Sequence, residues 1–303
     1  VDSHYVQVAI KTMHRLQKIT NHLSSTQQDA NTQHTNSRQN EQLSSDRDQN
    51  QLKTDQLSSN MSTRSFLRVL DGGMGRYLIE KKGLPSSRLW SAASIVDTKN
   101  HQMVIDAHVD YLRAGAGIIT TNNYSIVPSY LQTIDSNHML SEWTKLAVKM
   151  AKTARDTFMK SADRDDNAPS VAIAGCVPPL MESYKEDFRL SVFESVQYYT
   201  QIVQALDEEG VDIFLAETMT CIEEAMCVLH GMDRARTAGS LGDPGKEVMV
   251  AFTLNDDGRL RSNESLNDAI REIVKAKKQC GLNVTTVLMN CCLLEAIELG
   301  LQQ

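Results

Sequence analysis

Downstream of residue 65, short runs of β-branched and aliphatic residues alternate with longer stretches in which apolar residues recur every third or fourth position. The first pattern predicts buried strands, and the second predicts amphipathic helices. Six strands are predicted in this way, at 66–70, 117–121, 171–174, 211–216, 248–252 and 285–289. Because helical stretches follow these strands, the pattern predicts a parallel sheet that is covered by helices.

Capping residues mark where several of these helices begin. They are Asp97, Ser191 with Glu194, and Thr220 with Glu223. The last two pairs have the spacing of a capping box, in which each partner satisfies a free amide at the helix start. The helix after Asp97 carries His108 on its apolar stripe, and we interpret His108 as a hydrogen-bonded core histidine rather than a ligand.

Chemically active side chains follow the ends of the predicted strands. Asp71 follows the first strand, Asn122 the second, Glu217 the fourth and Cys291 the sixth. In a (β/α)8 barrel, the carboxyl ends of the strands meet at the active-site mouth. A doubly wound sheet also fits the alternation, but it would not bring ends one, four and six together so directly. We therefore predict an α/β fold, a (β/α)8 TIM barrel with about six βα units present.

The first predicted strand runs into the turn Asp71-Gly72-Gly73-Met74-Gly75. Glycines permit positive φ and let a ligand approach backbone N–H groups. Taken alone, the motif is explained as simply by an ordinary strand-to-helix turn with an incidental aspartate. Its place in the series of strand ends is what favours a binding role.

The first 60 residues differ in composition from the rest. From 24 to 60 the chain is mostly Gln, Asn, Ser, Thr and Asp. Such a segment cannot bury enough apolar surface to offset the entropy of ordering. We predict a disordered low-complexity segment at 1–60 and a barrel domain at 61–303. Because Met61 directly precedes the first strand, a further hypothesis is that translation begins there and that 1–60 is untranslated leader.

Composition narrows the range of partners. The net charge of −7 and the lack of a basic block interleaved with aromatics argue against nucleic acid and anionic membranes. No apolar run approaches the ~18 residues that span a bilayer. The six cysteines lack the spacing of a disulfide framework, which is typical of a reducing compartment. The predicted location is cytoplasmic, and the sequence gives no indication of oligomeric state.

Motifs in order along 66–303 carry a family resemblance. They are DGGMG at 71–75, LWSA at 89–92, DYLRAGA at 110–116 running into ITTNNY at 119–124, AET at 216–218 with EEA at 223–225, FT at 252–253 with ESL at 264–266, and MNC at 289–291. No single motif is decisive. Together, in register, they resemble the homocysteine S-methyltransferase family, so 61–303 is expected to be a homocysteine-binding TIM barrel.

The resemblance implies a zinc-dependent transfer of a methyl group to the thiol of L-homocysteine, giving methionine. In this family, three cysteine thiolates hold Zn²⁺, and the substrate sulfur takes the open fourth position as a thiolate. Cys291 matches the first zinc ligand, and Glu217 matches the acid that binds the homocysteine amino group. Asp71 matches an aspartate that helps to hold the same amino acid, with Gly72 and Gly73 offering backbone N–H groups.

The neighbouring Cys292 departs from the family pattern. The family's other two ligands are a vicinal cysteine pair after Gly-Gly near the C-terminus, whereas Cys291 and Cys292 follow Asn290. Successive strand residues point to opposite faces, so Cys292 is expected to face the helices or a loop. The remaining two ligands would lie beyond Gln303, and this chain is expected to be incomplete and inactive by itself. Four further thiols match no ligand position and are interpreted as small buried or surface cysteines: Cys176, Cys221, Cys227 and Cys280.

Other interpretations remain open at this level. The chain could be a shortened, metal-free pseudoenzyme that binds an amino acid or a partner chain. It could also be a different barrel enzyme that uses Asp71 and Glu217 as an acid–base pair. Within the methyltransferase interpretation the donor is open, because S-methylmethionine, betaine and adenosylmethionine are all onium compounds that leave as neutral groups.

Overall fold

The computed structural model describes residues 8–10, 68–161, 170–181, 184 and 190–303. Val8–Ile10 and the residues from Val69 onward belong to one compact unit, and the other unit, Met13–Arg68, lies outside the described residues except for Arg68. The disorder predicted for 1–60, apart from Val8–Ile10, and the predicted start at Met61 therefore fall outside the described residues.

The described strands form one sheet with an unbroken order. Their bounds are β1 Val8–Ile10, β2 Ile118–Thr120, β3 Ala172–Val177, β4 Ile213–Met219, β5 Glu247–Phe252 and β6 Asn283–Met289. The spatial order is β1-β6-β5-β4-β3-β2, and β2 to β6 are parallel, each beside the next in the chain. A doubly wound sheet reverses its order at a switch point, so this order confirms winding of the barrel type.

The two edges of this sheet differ. Beside β2, Leu70 of the first predicted strand forms a single parallel bridge to Ile118. Beside β6, the short strand β1 pairs antiparallel, with Val8 opposite Met289. Among the described residues the sheet therefore does not close into a complete barrel. The three-residue run of β1 is too short for a periodic pattern, which explains why the sequence does not predict it.

Helices pack on one face of the sheet. In the described part of the chain the α-helices are α1 Met74–Lys82, α2 Ala93–Val96, α3 His101–Arg113, α4 Pro128–Leu131, α5 Leu140–Met159, α6 Val192–Glu208, α7 Ile222–Thr237, α8 Leu266–Cys280 and α9 Leu294–Leu301. The predicted alternation is confirmed for the second to sixth predicted strands, whereas the described residues of the first, 66–70, form only the Leu70 bridge. None of these helices combines the length and the apolar character needed to cross a membrane.

Alternation along the strands creates two apolar clusters. The larger one lies between the sheet and the helices, and Phe214 and Ala216 of β4 point into it. The smaller one lies on the opposite, inner face, and Ile213 and Leu215 of β4 point into it. Because side chains alternate with a period of two, the next inner residue of β4 is Glu217. The inner face therefore changes from apolar to acidic toward the carboxyl ends of the strands.

The predicted helix starts are confirmed in part. Ser191 and Glu194 form the complete capping box of α6. The box predicted for Thr220 and Glu223 is wrong, because the backbone stays extended for one more residue. Cys221 is the N-cap of α7, and its sulfur accepts a hydrogen bond from the Glu224 amide.

Two further expectations are corrected near α3. Asp97 caps the 3-10 turn Thr98–Asn100, and α3 begins only at His101. His108 is fully buried as predicted, but neither ring nitrogen has a hydrogen-bond partner among the described residues. Burial lowers the pKa of His108 to about 4, which keeps the ring neutral. The prediction of a hydrogen-bonded histidine is therefore wrong, because the apolar stripe offers it no acceptor or donor.

Candidate functional site

The predicted strand-end residues do meet at one end of the sheet. Strand β3 continues beyond the predicted end at Ala174 to Val177, and β4 continues to Met219. These extra residues carry Cys176 and Glu217 to the same inner edge, where their side chains touch. Asp71 and Cys291 also lie at this edge. Both are close enough to Glu217 for its charge to raise the pKa of their side chains.

Asp71 is held by a residue 49 positions away in the chain. Its two carboxylate oxygens accept hydrogen bonds from the Thr120 amide at 2.8 Å and the Thr120 hydroxyl at 2.9 Å. Burial raises the pKa of Asp71 to about 7, against the lowering effect of these bonds, and the charge of Glu217 adds to the rise. Because both carboxylate oxygens accept hydrogen bonds from Thr120, Asp71 fixes the glycine turn to the end of β2.

The glycines after Asp71 serve two different purposes. A Cβ on Gly72 would lie 3.1 Å from the Tyr111 ring, and a Cβ on Gly75 would lie 2.8 Å from the Trp90 ring. A side chain at Gly75 would therefore force the Trp90 ring to shift, and one at Gly72 would crowd the Tyr111 ring. A Cβ on Gly73 would meet nothing within 4 Å, and Gly72 and Gly73 are both exposed. The turn thus leaves backbone open to solvent at the N-terminus of α1, which favours anionic groups.

Glu217 has an unexpected partner in Cys176. The Cys176 thiol donates a hydrogen bond to Glu217 Oε2 at 3.1 Å. Burial raises the pKa of Glu217, and this hydrogen bond acts in the opposite direction. Burial and the charge of Glu217 raise the pKa of Cys176 far above its usual range, so the thiol keeps its proton and remains a donor.

Cys291 lies just past β6 in a strained conformation. Its φ is +54°, and Thr218 beside Glu217 has a φ of +61°. Positive φ is costly for non-glycine residues and recurs at functional sites. The Thr218 hydroxyl lies 3.9 Å from the Cys291 sulfur, and Asn290 donates a hydrogen bond to that hydroxyl at 2.9 Å. These contacts hold the partly exposed thiol at the mouth.

The two vicinal cysteines have different surroundings. Cys292 is buried in the apolar cluster between sheet and helices, as the alternation predicts. Of the other thiols, Cys221, Cys227 and Cys280 are buried, as Cys176 is. Interpreting Cys176 as simply a small buried thiol missed its contact with Glu217. Strand alternation could have indicated this contact. Cys176 follows the inward-pointing Ala174 by two positions, so its side chain is expected on the same inner face.

Asn122 and Tyr184 complete the surroundings of the mouth. Asn122 is buried and donates hydrogen bonds to the Ser91 carbonyl and the Ser94 hydroxyl, so it anchors α2 and the turn before it. The Tyr184 side chain donates a hydrogen bond to Cys291, which acts to lower the pKa of that thiol. Sequence reasoning missed Tyr184, because nothing local connects the loop after β3 with the end of β6.

The described residues by themselves do not fit a zinc ion. No three His, Cys, Asp or Glu side chains in the described ranges are grouped closely enough to hold a metal. Cys291 is the one residue there that the resemblance assigns as a ligand. Burial and the charge of Glu217 raise the pKa of the Cys291 thiol.

The parallel strands β2 to β6 lie in sequential order and carry polar groups at their carboxyl ends, which is the arrangement of the TIM-barrel class of architecture. A family model described as homocysteine S-methyltransferase matches residues 68–303. The chain belongs to the homocysteine S-methyltransferase family.

Individual relatives are distant. The chain is 29% identical over 172 residues to "Homocysteine S-methyltransferase YbgG" of Bacillus subtilis, and that match covers 54% of each protein. It is 25% identical over 245 residues to "Homocysteine S-methyltransferase" of Escherichia coli, covering 77% of this chain and 72% of the relative. The chain thus spans about half to three quarters of these relatives.

A solved structure shares the fold. The metallated form of the homocysteine methyltransferase MmuM from Escherichia coli matches with a TM-score of 0.59 and 18% sequence identity. The match covers 79% of this chain and 97% of that chain. At this level of identity the similarity supports the TIM-barrel fold only.

Proposed function

We propose that the protein transfers a methyl group from an onium donor to the thiol of L-homocysteine, giving methionine. The observation that carries the proposal is that the half-buried Glu217 and the partly exposed Cys291 lie at one strand-end mouth, where Thr218 beside Glu217 contacts the Cys291 sulfur. Membership of the family supports this function over the metal-free pseudoenzyme and over a different barrel enzyme with an Asp71–Glu217 acid–base pair.

Glu217 is proposed to bind the homocysteine ammonium. A buried carboxylate is costly to ionise without a cation, and burial raises its pKa in the substrate-free protein. An ammonium placed against Oε1 or Oε2 would favour the ionised form and would receive a charge-assisted hydrogen bond. The Cys176 thiol, which stays protonated, would hold the carboxylate in the receiving orientation.

The open turn at Gly72 and Gly73 is proposed to bind the homocysteine carboxylate. Both residues are exposed at the start of α1, where backbone N–H groups and the helix dipole favour an anion. Asp71 acts through Thr120 and does not itself contact the ligand in this proposal. Ammonium and carboxylate are then held at separate points, which directs the thiol side chain toward Cys291.

The reaction forms an S–C bond on homocysteine and breaks the S–C bond of a sulfonium donor or the N–C bond of a quaternary ammonium donor. The homocysteine thiol loses its proton to solvent, its sulfur attacks the methyl carbon, and the donor leaves with the electron pair of the broken bond. A sulfonium leaves as a neutral thioether and a quaternary ammonium leaves as a neutral amine, so no general acid is needed. The site therefore has to orient sulfur and methyl group and to exclude water.

The proposal includes zinc because the family resemblance implies a zinc-dependent methyl transfer. Cys291 would be one of its ligands, and the family resemblance assigns no other residue of this chain to the metal. When bound, zinc would supply the thiolate form of homocysteine at neutral pH. The six cysteines of this chain are free thiols, and we propose a reducing, cytoplasmic location for the protein.

The experiment is a methyl-transfer assay on the full natural protein with homocysteine and S-methylmethionine or betaine. We expect turnover that chelator and Cys291→Ala abolish, while Cys280→Ala, on the remote helix α8, retains it. Glu217→Gln should raise the KM for homocysteine, while the exposed Glu223→Gln should not. Turnover that resists chelator but is lost in Glu217→Gln would instead indicate acid–base chemistry. Homocysteine binding without zinc or turnover would indicate the pseudoenzyme.

A further inference from the structure

Strand β3 extends further than its neighbour β2 at the end of the sheet where the site lies. The two strands pair as far as Thr120 and Ala174, and β3 then continues through Cys176 to Val177. Cys176 is fully buried, so its backbone amide and carbonyl both need hydrogen-bond partners. Because β2 ends at Thr120, these partners have to come from outside that strand.

Two side chains just past β2 supply the partners. The Thr121 hydroxyl accepts a hydrogen bond from the Cys176 amide at 2.9 Å, and the Asn123 side-chain amide donates to the Cys176 carbonyl at 2.9 Å. The Thr121 hydroxyl also donates to Asn123 Oδ1 at 2.6 Å. Thr121 and Asn123 are both buried. The three hydrogen bonds close a ring that fixes the backbone of Cys176 on both sides.

The backbone of Cys176 decides where its thiol points. That thiol donates the hydrogen bond to Glu217 Oε2 at 3.1 Å. Hydrogen bonds weaken steeply when the donor is misaligned, so a shift of Cys176 would leave the Glu217 carboxylate without this donor. Thr121 is therefore connected to Glu217 through two successive hydrogen bonds, with Cys176 between them.

We propose that Thr121, together with Asn123, is a positioning residue that acts through Cys176 on the Glu217 carboxylate. It thereby sets how well the site distinguishes a thiol that carries an amino group from one that does not. This inference rests on the proposed binding of the homocysteine ammonium by Glu217. Neither Thr121 nor Asn123 contacts the substrate. Their effect arises because a charge-assisted hydrogen bond to the ammonium requires a carboxylate that is already oriented.

The test compares two ligands that differ only in the amino group, L-homocysteine and 4-mercaptobutanoate. Calorimetry on the full natural protein gives a dissociation constant for each ligand, and the ratio of the two constants is the ammonium preference. Methyl-transfer assays give KM and kcat for homocysteine. Thermal unfolding of each variant identifies those that fail to fold.

Thr121→Val removes the hydroxyl and keeps the shape of the side chain. The ammonium preference should fall roughly 3- to 10-fold, the range for one hydrogen bond, while binding of 4-mercaptobutanoate stays unchanged. The loss should appear in KM for homocysteine rather than in kcat. Thr121→Ser keeps the hydroxyl and should retain the preference. The matched control is Thr144→Val, because Thr144 is equally buried but its hydroxyl donates to the Leu140 carbonyl within α5.

A double-variant cycle tests the path through Cys176. Cys176→Ala removes the thiol donor and should lower the preference by a similar factor. Adding Thr121→Val to Cys176→Ala should then lower it no further, because the two residues act in series. Asn123→Ala leaves the contact between Thr121 and Cys176 in place and should lower the preference in the same direction, so it provides the test if Thr121→Val does not fold.

An unchanged preference in Thr121→Val and in Asn123→Ala would overturn the inference and leave the proposed function in place. A further loss of the same size in the double variant would also overturn it. Equal binding of the two ligands by the wild type would refute ammonium binding by Glu217, and this inference with it. A preference that Thr121→Val removes, in a protein that transfers no methyl group, would support the inference and refute the methyl transfer.

Discussion

Buried titratable groups dominate the chemistry of single residues in this protein. Asp71 and Glu217 lie near enough for the charge of one to affect the other, and burial raises the pKa of both. His108 lies in the apolar layer, where burial lowers its pKa. A raised carboxyl pKa makes stability fall as pH rises, and a lowered histidine pKa makes stability fall as pH decreases. Variants at the two positions can therefore separate the two effects.

Asp71→Asn should change how stability depends on pH. Because the folded protein raises the pKa of Asp71 from 3.8 to about 7, it binds this proton more tightly than the unfolded chain does. The stabilisation is complete when the pH is near or below 3.8, and it is lost as the pH rises toward 7. The slope is up to about 1.4 kcal/mol per pH unit. Urea unfolding of wild type and variant at several pH values measures the difference.

The surface variant Asp156→Asn serves as the control for this experiment. Asp156 is exposed, and its replacement should leave the slope unchanged. An unchanged slope in Asp71→Asn would contradict the raised pKa of Asp71.

His108→Leu should stabilise the protein. Both ring nitrogens are buried without partners, and removing a buried unsatisfied group is worth about 1–3 kcal/mol. Because the folded pKa of His108 is lowered from 6.5 to about 4, wild-type stability falls as pH decreases through that interval. The variant should lose this dependence, whereas His138→Leu, at an exposed histidine, should keep it. A destabilised His108→Leu in denaturant titrations would refute this account.

At the scale of elements, the two ends of the sheet have different roles. The carboxyl ends of the strands carry the site, while buried ionic contacts hold the connections at the other end. Asp207 near the end of α6 pairs with Lys246 just before β5, with side chains 5% and 9% exposed. Asp207 also accepts a hydrogen bond from the Gly242 amide, so it fixes the loop between α7 and β5.

Lys246→Met should therefore destabilise strongly without changing the chemistry. Removing one partner leaves a buried, uncompensated carboxylate, which typically costs about 3–5 kcal/mol. The double variant Asp207→Leu with Lys246→Met should recover most of this loss, and denaturant titration measures both. Arg271→Met breaks an exposed ion pair with Asp268 and should cost no more than about 0.5 kcal/mol. Similar losses in Lys246→Met and Arg271→Met would contradict the importance of burial.

At the scale of the whole molecule, the site joins distant segments. The strand-end mouth collects side chains from the turn after Leu70 and from the ends of β3, β4 and β6. A ligand that bridges Gly73, Glu217 and Cys291 would therefore stabilise the folded state against global unfolding, because the unfolded chain has no such site.

Homocysteine should raise the free energy of unfolding by about 2.7 kcal/mol at a concentration 100 times its Kd. The matched ligand 4-mercaptobutanoate lacks only the amino group, so it has no ammonium for Glu217 and should stabilise much less. Glu217→Gln should remove the difference between the two ligands. Thermal unfolding of the full protein measures this difference in stabilisation. Equal stabilisation by both ligands would refute the binding of the homocysteine ammonium by Glu217.

The sequence by itself determined the elements and the inward direction of their side chains. Strand and helix positions follow from local periodicity, the Ser191–Glu194 box from spacing within one turn, and the burial of Cys292 from alternation. These features depend on neighbours in the chain, so they can be predicted without an alignment or a structure. The strand-end position of Asp71, Glu217 and Cys291 follows for the same reason.

Only the tertiary structure decided which of these residues touch. The contact of Cys176 with Glu217, the binding of Asp71 by Thr120, and the approach of Tyr184 to Arg261 and Cys291 join segments far apart in the chain. Such contacts depend on the register between strands and on loop paths. The unpartnered nitrogens of His108 depend in the same way on what the neighbouring elements offer. Alternation decides which face of the sheet a side chain lies on, but packing between distant elements decides which residues meet across strands and which path a loop takes.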